Sequence, residues 1–142
     1  MINVINAAKY LVYLSYGDKS RSLTPLKLQK LLYLAQGWSY VWDDKPLFMN
    51  DFEAWQYGPV CVEVYNYFKK YRSDEIPESE GVSSLKNVDS EETIEAVWDN
   101  FSDYTAYDLV EMTHKQDPWK NAYKKHTTIT KQDIKHYFQS TF

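Results

Sequence analysis

The chain reads as a mainly α protein, a compact bundle of about six helices with one small β-hairpin around residues 46–57. Three observations predict this. Apolar residues recur at helical spacing in several separate stretches, helix-start chemistry precedes most of those stretches, and a single short segment alternates with the period of a strand instead. With 142 residues, 44% of them apolar and 25% charged, residues 1–142 are expected to fold as one domain.

The first helix covers 3–15, where Val4, Ala7, Ala8, Leu11, Val12 and Leu14 keep close to helical spacing and Asn3 is the cap. Gly17-Asp18-Lys19-Ser20 ends it. Thr24-Pro25 then starts the clearest helix of the chain: the Thr24 hydroxyl caps free amides, and Pro25 suits a first turn that needs no N–H. Leu28, Leu31, Leu32, Ala35 and Trp38 form its core stripe, and Gly37 inside it predicts close approach of a neighbour. Asp43-Asp44-Lys45-Pro46 is turn chemistry, and Leu47-Phe48 with Phe52–Tyr57, joined by Asn50-Asp51, reads as a short hairpin or an irregular loop; as a hairpin it needs the helices to lie on. Gly58-Pro59 is read as opening the next helix, with Val60, Val64, Tyr67, Phe68 and Tyr71 at its apolar positions.

Residues 73–89 are polar, acidic and broken by Pro77 and Gly81, which predicts the longest loop. A helix is expected from Ser90, with Glu91 and Glu92 at its positive end and Ile94, Val97, Trp98 and Phe101 in its stripe. Thr105 with Asp108, and Thr130 with Asp133, have capping-box spacing and start two further helices. Between them, Asp117-Pro118-Trp119 starts a short one.

Composition and motifs exclude more than they assign. The net charge of −4 disfavours nucleic acid as a partner, since phosphate-backbone binding needs a basic footprint. A helix-turn-helix around Thr24–Trp38 offers only Lys27, Gln29, Lys30 and Gln36 as readers, so ordinary helix packing accounts for it better. The basic stretch Lys115–His136 reads as a solvated face. A lone Cys61 permits no internal disulfide, no basic-then-apolar leader opens the chain, and no apolar run nears the ~18 residues of a membrane span; a cytoplasmic location is expected.

His114, His126, His136 and Cys61 lack the spacing of a metal site, so no metal is expected. Four glycines make no phosphate-cradling loop, so no nucleotide cofactor is expected either. Cys61 with His114 is the one pair that could support nucleophilic catalysis. Cys61 between two valines, however, reads as a small buried residue rather than a nucleophile. The expectation is a protein that is not an enzyme.

Two segments stand out from plain packing. Ala54–Val60 sets bulky aromatics before a Gly-Pro bend, and Met112–Trp119 ends a helix in polar groups and restarts at a tryptophan. Both fit a turn wedged by rings. Both also fit an aromatic and polar groove for a partner, since 17% of the chain is aromatic and such residues dominate interface hot spots.

The same segments carry a family likeness. Leu23-Thr-Pro-Leu-Lys-Leu-Gln-Lys-Leu-Leu-Tyr-Leu-Ala-Gln-Gly-Trp38, Lys45-Pro-Leu-Phe48, Phe52-Glu-Ala-Trp-Gln-Tyr-Gly-Pro-Val60 and Leu109-Val-Glu-Met-Thr-His-Lys-Gln-Asp-Pro-Trp119 occur in order. Together they closely resemble the Panacea domain, the family of SocA-type antitoxins and phage-associated GepA proteins. The resemblance implies an antitoxin that neutralises a cognate toxin by direct protein contact. In one branch it implies instead an adaptor that delivers its toxin to a ClpXP-type protease, a role for which the 73–89 loop offers a tether. It transfers no catalytic residue. Its signature positions here are Trp55, Tyr57, Gly58, Pro59, Thr113, His114, Pro118 and Trp119, to which two roles stand open: holding the fold or touching the partner.

Overall fold

Seven α-helices and a three-stranded antiparallel sheet make up the computed structural model, which describes residues 1–142 throughout. In chain order they are α1 (Val4–Ser15), α2 (Pro25–Asp43), β1 (Phe52–Trp55), β2 (Gly58–Val60), α3 (Val62–Phe68), α4 (Val88–Phe101), α5 (Ala106–His114), α6 (Asp117–Lys125), β3 (Thr128–Ile129) and α7 (Lys131–Thr141). The fold is mainly α, as the sequence predicts, and each of its helices has a counterpart among the helical stretches read from the sequence. No helix is long and apolar enough to cross a membrane.

Helix starts follow local hydrogen bonding. The Asn3 carboxamide accepts from the amides of Ile5 and Asn6, and the Thr24 hydroxyl accepts from Lys27 N–H with Pro25 in the first turn. Both predicted capping boxes form, Thr105 with Asp108 and Thr130 with Asp133. One expected start moves, and one cap differs. The helix expected at Ser90 begins at Val88, because the Asn87 side chain caps it by accepting from Ser90 N–H. The N-cap of α6 is Gln116 without a side-chain bond, so Asp117 lies in the first turn rather than capping it.

The centre of the molecule is α2. Every residue from Lys27 to Gly37 is buried, so the helix has no solvent face along that length. α1, α4, α5 and α7 surround it together with the sheet. Gly37 is where α7 comes closest: a Cβ there would stand 2.4 Å from the Phe138 ring, so the close approach expected at Gly37 is real and aromatic. Around Tyr33 the rings of Phe52 and Phe138 meet edge-on at 5.8 and 5.7 Å.

This burial overturns one expectation. Lys27, Gln29, Lys30 and Gln36 are not a surface row of potential nucleic-acid readers; all four are buried and bonded to backbone. The Gln36 carboxamide accepts from Leu47 N–H at 2.7 Å and Phe48 N–H at 3.3 Å and donates to the Phe48 carbonyl at 2.9 Å. One helical repeat earlier, Gln29 does the same to Cys61, accepting from its N–H at 2.8 Å and donating to its carbonyl at 3.1 Å. The Lys30 amine donates to the Pro59 carbonyl at 2.8 Å, and that of Lys27 to the Ser102 carbonyl at 2.6 Å. The side chains of α2 thus supply the hydrogen bonds that extended chain would otherwise take from another strand.

That arrangement also corrects the hairpin. Its strands are Phe52–Trp55 and Gly58–Val60, paired in the register Glu53 to Val60 and Trp55 to Gly58, with Gln56-Tyr57 as the turn. Leu47-Phe48 is not a strand, being held by Gln36. Gly58-Pro59 does not open a helix, because Lys30 and Gln29 hold residues 59–61 extended until α3 starts at Val62. The third strand, β3, pairs with the far edge of β1 and has no counterpart in the sequence reading.

The polar stretch 73–89 is a loop, as expected, but it is tied down. Ile76 is 1% exposed, its N–H donates to the Leu23 carbonyl at 3.0 Å and its carbonyl accepts from the Tyr16 hydroxyl at 2.6 Å. Glu80, in a short 3-10 turn, accepts from the Lys9 amine at 2.9 Å and from the hydroxyls of Tyr67 and Tyr71. Burial works against the charge on Glu80, but the bonds from Tyr71 and Lys9 outweigh it and hold the pKa down at about 2.

Candidate protein-binding site

All eight signature residues fall in one place, where the β1–β2 hairpin meets the end of α5 and the start of α6. A buried frame and an exposed aromatic surface divide them.

Gly58, Pro59, Thr113 and Pro118 are buried and make the frame. Gly58 has φ +105°, and a Cβ there would lie 2.7 Å from Lys30 Cε and 2.9 Å from Thr113 Oγ1, so both its conformation and its neighbours require glycine. Pro59 lies in the edge strand β2, where no N–H is needed on the outer side, and its carbonyl receives the Lys30 amine. The Thr113 hydroxyl donates back to the Val110 carbonyl at 2.9 Å. Pro118 starts α6, leaving Gln116 free to accept from the buried Tyr33 hydroxyl at 2.8 Å.

Trp55, Tyr57, His114 and Trp119 face outward at least in part. Two of them grip the hairpin turn. Trp119 Nε1 donates to the Trp55 carbonyl at 2.8 Å, and His114 Nε2 lies 2.9 Å from the Gln56 carbonyl. A carbonyl only accepts, so that nitrogen carries the proton. The His114 ring stacks on Trp119 at 4.0 Å, and Trp119 stacks on Tyr123 at 4.5 Å, so three rings form a column beside the turn. On the other side Trp55 meets Tyr65 edge-on at 4.8 Å, with its indole N–H given to Glu53 at 2.9 Å. Tyr57 stands at the tip, 52% exposed.

Between the start of α2, the hairpin and α3 this surface opens into a groove of about 520 Å³. A second groove, about 590 Å³, lies on the opposite flank of α5 among Trp38, Phe101, Tyr104 and Phe142, and its charges, Asp108, Glu111 and Lys115, are of mixed sign.

Each member of the pair weighed for catalysis is otherwise engaged. His114 is committed to Gln56 and Trp119, and Cys61 is buried at the position preceding α3, not one turn into it. Burial pushes the Cys61 thiol up, away from the thiolate a nucleophile needs.

Gln29, Lys30, Tyr33 and Gln116, which hold the frame of this site, have no place in the sequence reading of it. The available signal was the polar series Gln29, Tyr33, Gln36 at helical spacing in a helix with apolar residues on every side. Tyr65 and Tyr123 carry no signal beyond being aromatic.

Residues 28–120, from α2 through the hairpin to the start of α6, match the family described as antitoxin SocA-like, Panacea domain. The Antitoxin SocA of Caulobacter vibrioides (strain NA1000 / CB15N) is 34% identical over 118 residues, which cover 72% of this chain and 63% of that protein. The chain therefore spans a little less than two thirds of that relative's length. No solved structure matches. With well over half of its residues inside the match, the chain belongs to the SocA-like antitoxin family of the Panacea domain.

Proposed function

We propose that this protein is the antitoxin of a toxin–antitoxin pair and neutralises its toxin by binding it directly, without catalysis. Family membership carries the reading, because the matched region contains all eight signature residues of the hairpin site. The relative from Caulobacter vibrioides is named an antitoxin. The site supports direct contact. Trp55, Tyr57, His114 and Trp119, joined by Tyr65 and Tyr123, present rings on a pinned turn, the residue types and rigidity on which interface hot spots are built. Gly58, Pro59, Thr113 and Pro118 support that surface from beneath and need not touch the partner.

Co-expression with the product of the neighbouring reading frame tests the proposal. Growth should be arrested by that product alone, restored by this chain, and accompanied by a copurifying complex. Restoration should fail with Tyr57→Ala/Trp119→Ala. A neighbouring product that is harmless alone, or a harmful one that this chain does not restrain, refutes the reading. The adaptor alternative gains nothing from residues 73–89: Leu23, Tyr16 and Lys9 tie that segment to the body, which is not the behaviour of a free tether.

A further inference from the structure

The groove beside the hairpin has a floor of Trp55, Val60, Val64, Tyr65 and Phe68, and two cations, Lys69 and Arg72, stand at one end. No carboxylate lines it. Neither cation is in an ion pair, although acidic residues outnumber basic ones by 20 to 16 in the chain. Six of the 16 lysines and arginines are in ion pairs, among them Lys9 with Glu80 and Arg21 with Asp103, and none of those six lines this groove. Arg72, which lines this groove, is also held at φ 53°, ψ −118°, backbone that a residue with a side chain seldom adopts.

The groove cannot recruit a partner by extending the sheet. The outward groups past β2, the Pro59 carbonyl and both backbone groups of Cys61, are already occupied by Lys30 and Gln29. Recognition therefore falls to side chains: apolar ones for the floor, anionic ones for the rim.

Resting on the antitoxin reading above, we infer that this groove seats an extended segment of the partner toxin in which an apolar side chain is followed, a few residues on, by carboxylates. The apolar group desolvates against Trp55 and Tyr65, and the carboxylates complete the two unpaired cations. Charge complementarity of this kind sets selectivity and encounter rate more than it sets raw affinity.

The test uses the full chain, ¹⁵N-labelled, and two capped synthetic peptides, Leu-Phe-Ser-Glu-Glu and Leu-Phe-Ser-Lys-Lys. The acidic peptide should shift the Trp55 indole signal and the amides of Tyr65 and Arg72, and bind about fivefold more tightly than the basic one at low salt. The preference should shrink in high salt and reverse in Lys69→Glu/Arg72→Glu, whose circular dichroism should match that of the wild type. Equal affinities, or shifts that lie elsewhere, overturn the inference. The same double variant enters the co-expression assay, where it should lose toxin restraint. If it restrains the toxin as well as wild type does, the groove assignment falls while the antitoxin reading stands. If wild type itself fails there, the antitoxin reading falls and the peptide titration judges the groove alone.

Discussion

Lys30 offers the sharpest quantitative test of the buried frame. Its side chain is 0% exposed, its amine has one acceptor, the Pro59 carbonyl, and burial pushes its pKa down to about 7. In the unfolded chain the amine returns to the ordinary lysine value of about 10.4. Between those values the unfolded state holds a proton that the native state has released, so stability rises with pH across the window from about 7 to about 10. Integrated from pH 7 to pH 9, this amounts to about 2 kcal/mol. The Lys27 amine is lowered in the same direction by burial, so the wild-type slope contains both lysines. Lys30→Met removes one. Its aliphatic stem keeps the packing, while the Pro59 carbonyl is left without a donor at a cost of about 1–3 kcal/mol. Urea unfolding followed by tryptophan fluorescence should therefore show the variant losing ground to wild type by about 2 kcal/mol on going from pH 7 to pH 9, roughly 1 M in midpoint. Parallel stability profiles for the two proteins would mean that Lys30 does not titrate in that window, and the account of a buried amine depressed by desolvation would be wrong.

Three further outcomes follow from the same frame. Gly37→Ala should cost about 1–3 kcal/mol, because its Cβ would stand 2.4 Å from the Phe138 ring, and combining it with Phe138→Leu should cost less than the two changes summed; strict additivity in thermal melts refutes the contact. Gln36→Leu strands the N–H groups of Leu47 and Phe48 and the Phe48 carbonyl, so destabilisation of about 2–4 kcal/mol is expected, with accelerated hydrogen exchange at Leu47 and Phe48 as the local sign. The Glu80 carboxyl, held near 2 and so below its unfolded value, lends stability that is complete above about pH 4.3 and lost as pH falls towards 2; Glu80→Gln should melt with a flatter acid profile than wild type, and identical profiles refute the Lys9–Tyr71 network.

How much of this was legible depended on the distance over which each choice is made. Helix starts at Asn3, Thr24, Thr105 and Thr130 are settled by bonds spanning two or three residues, and the sequence displays both partners at once. The return strand of the hairpin is settled by Gln29 and Lys30, about thirty residues upstream of the groups they hold, and nothing local to Gly58-Pro59-Val60 announces them. Periodicity then misled in a specific way: it assigns polar residues of an amphipathic helix to solvent, whereas the polar residues of α2 are wrapped by the chain they bind. At the site, the eight signature positions were readable as a set. Their division into frame and surface was not, since Gly58 and Trp55 differ in exposure only through what packs on the hairpin.

Pinning the turn has an energetic consequence for binding. A flexible aromatic side chain ordered on association costs about 0.5–1.5 kcal/mol in lost rotamer freedom, which is subtracted from whatever its burial contributes. In this site the ordering is largely done beforehand. The Trp119 ring is fixed by its bond to the Trp55 carbonyl and by stacking between His114 and Tyr123, and the His114 ring by its bond to Gln56. Trp55 is fixed by Glu53 and by Tyr65. Each of those bonds is individually worth only about 0.5–1.5 kcal/mol to the fold. For the binding role proposed above, their larger effect is that the rings are already set in place before a partner arrives, on a turn packed against Lys30 and Thr113 at Gly58. On that proposal the buried Lys30 and Gln29, so unlike a binding surface in position, hold the return strand of the hairpin whose rings would meet the partner.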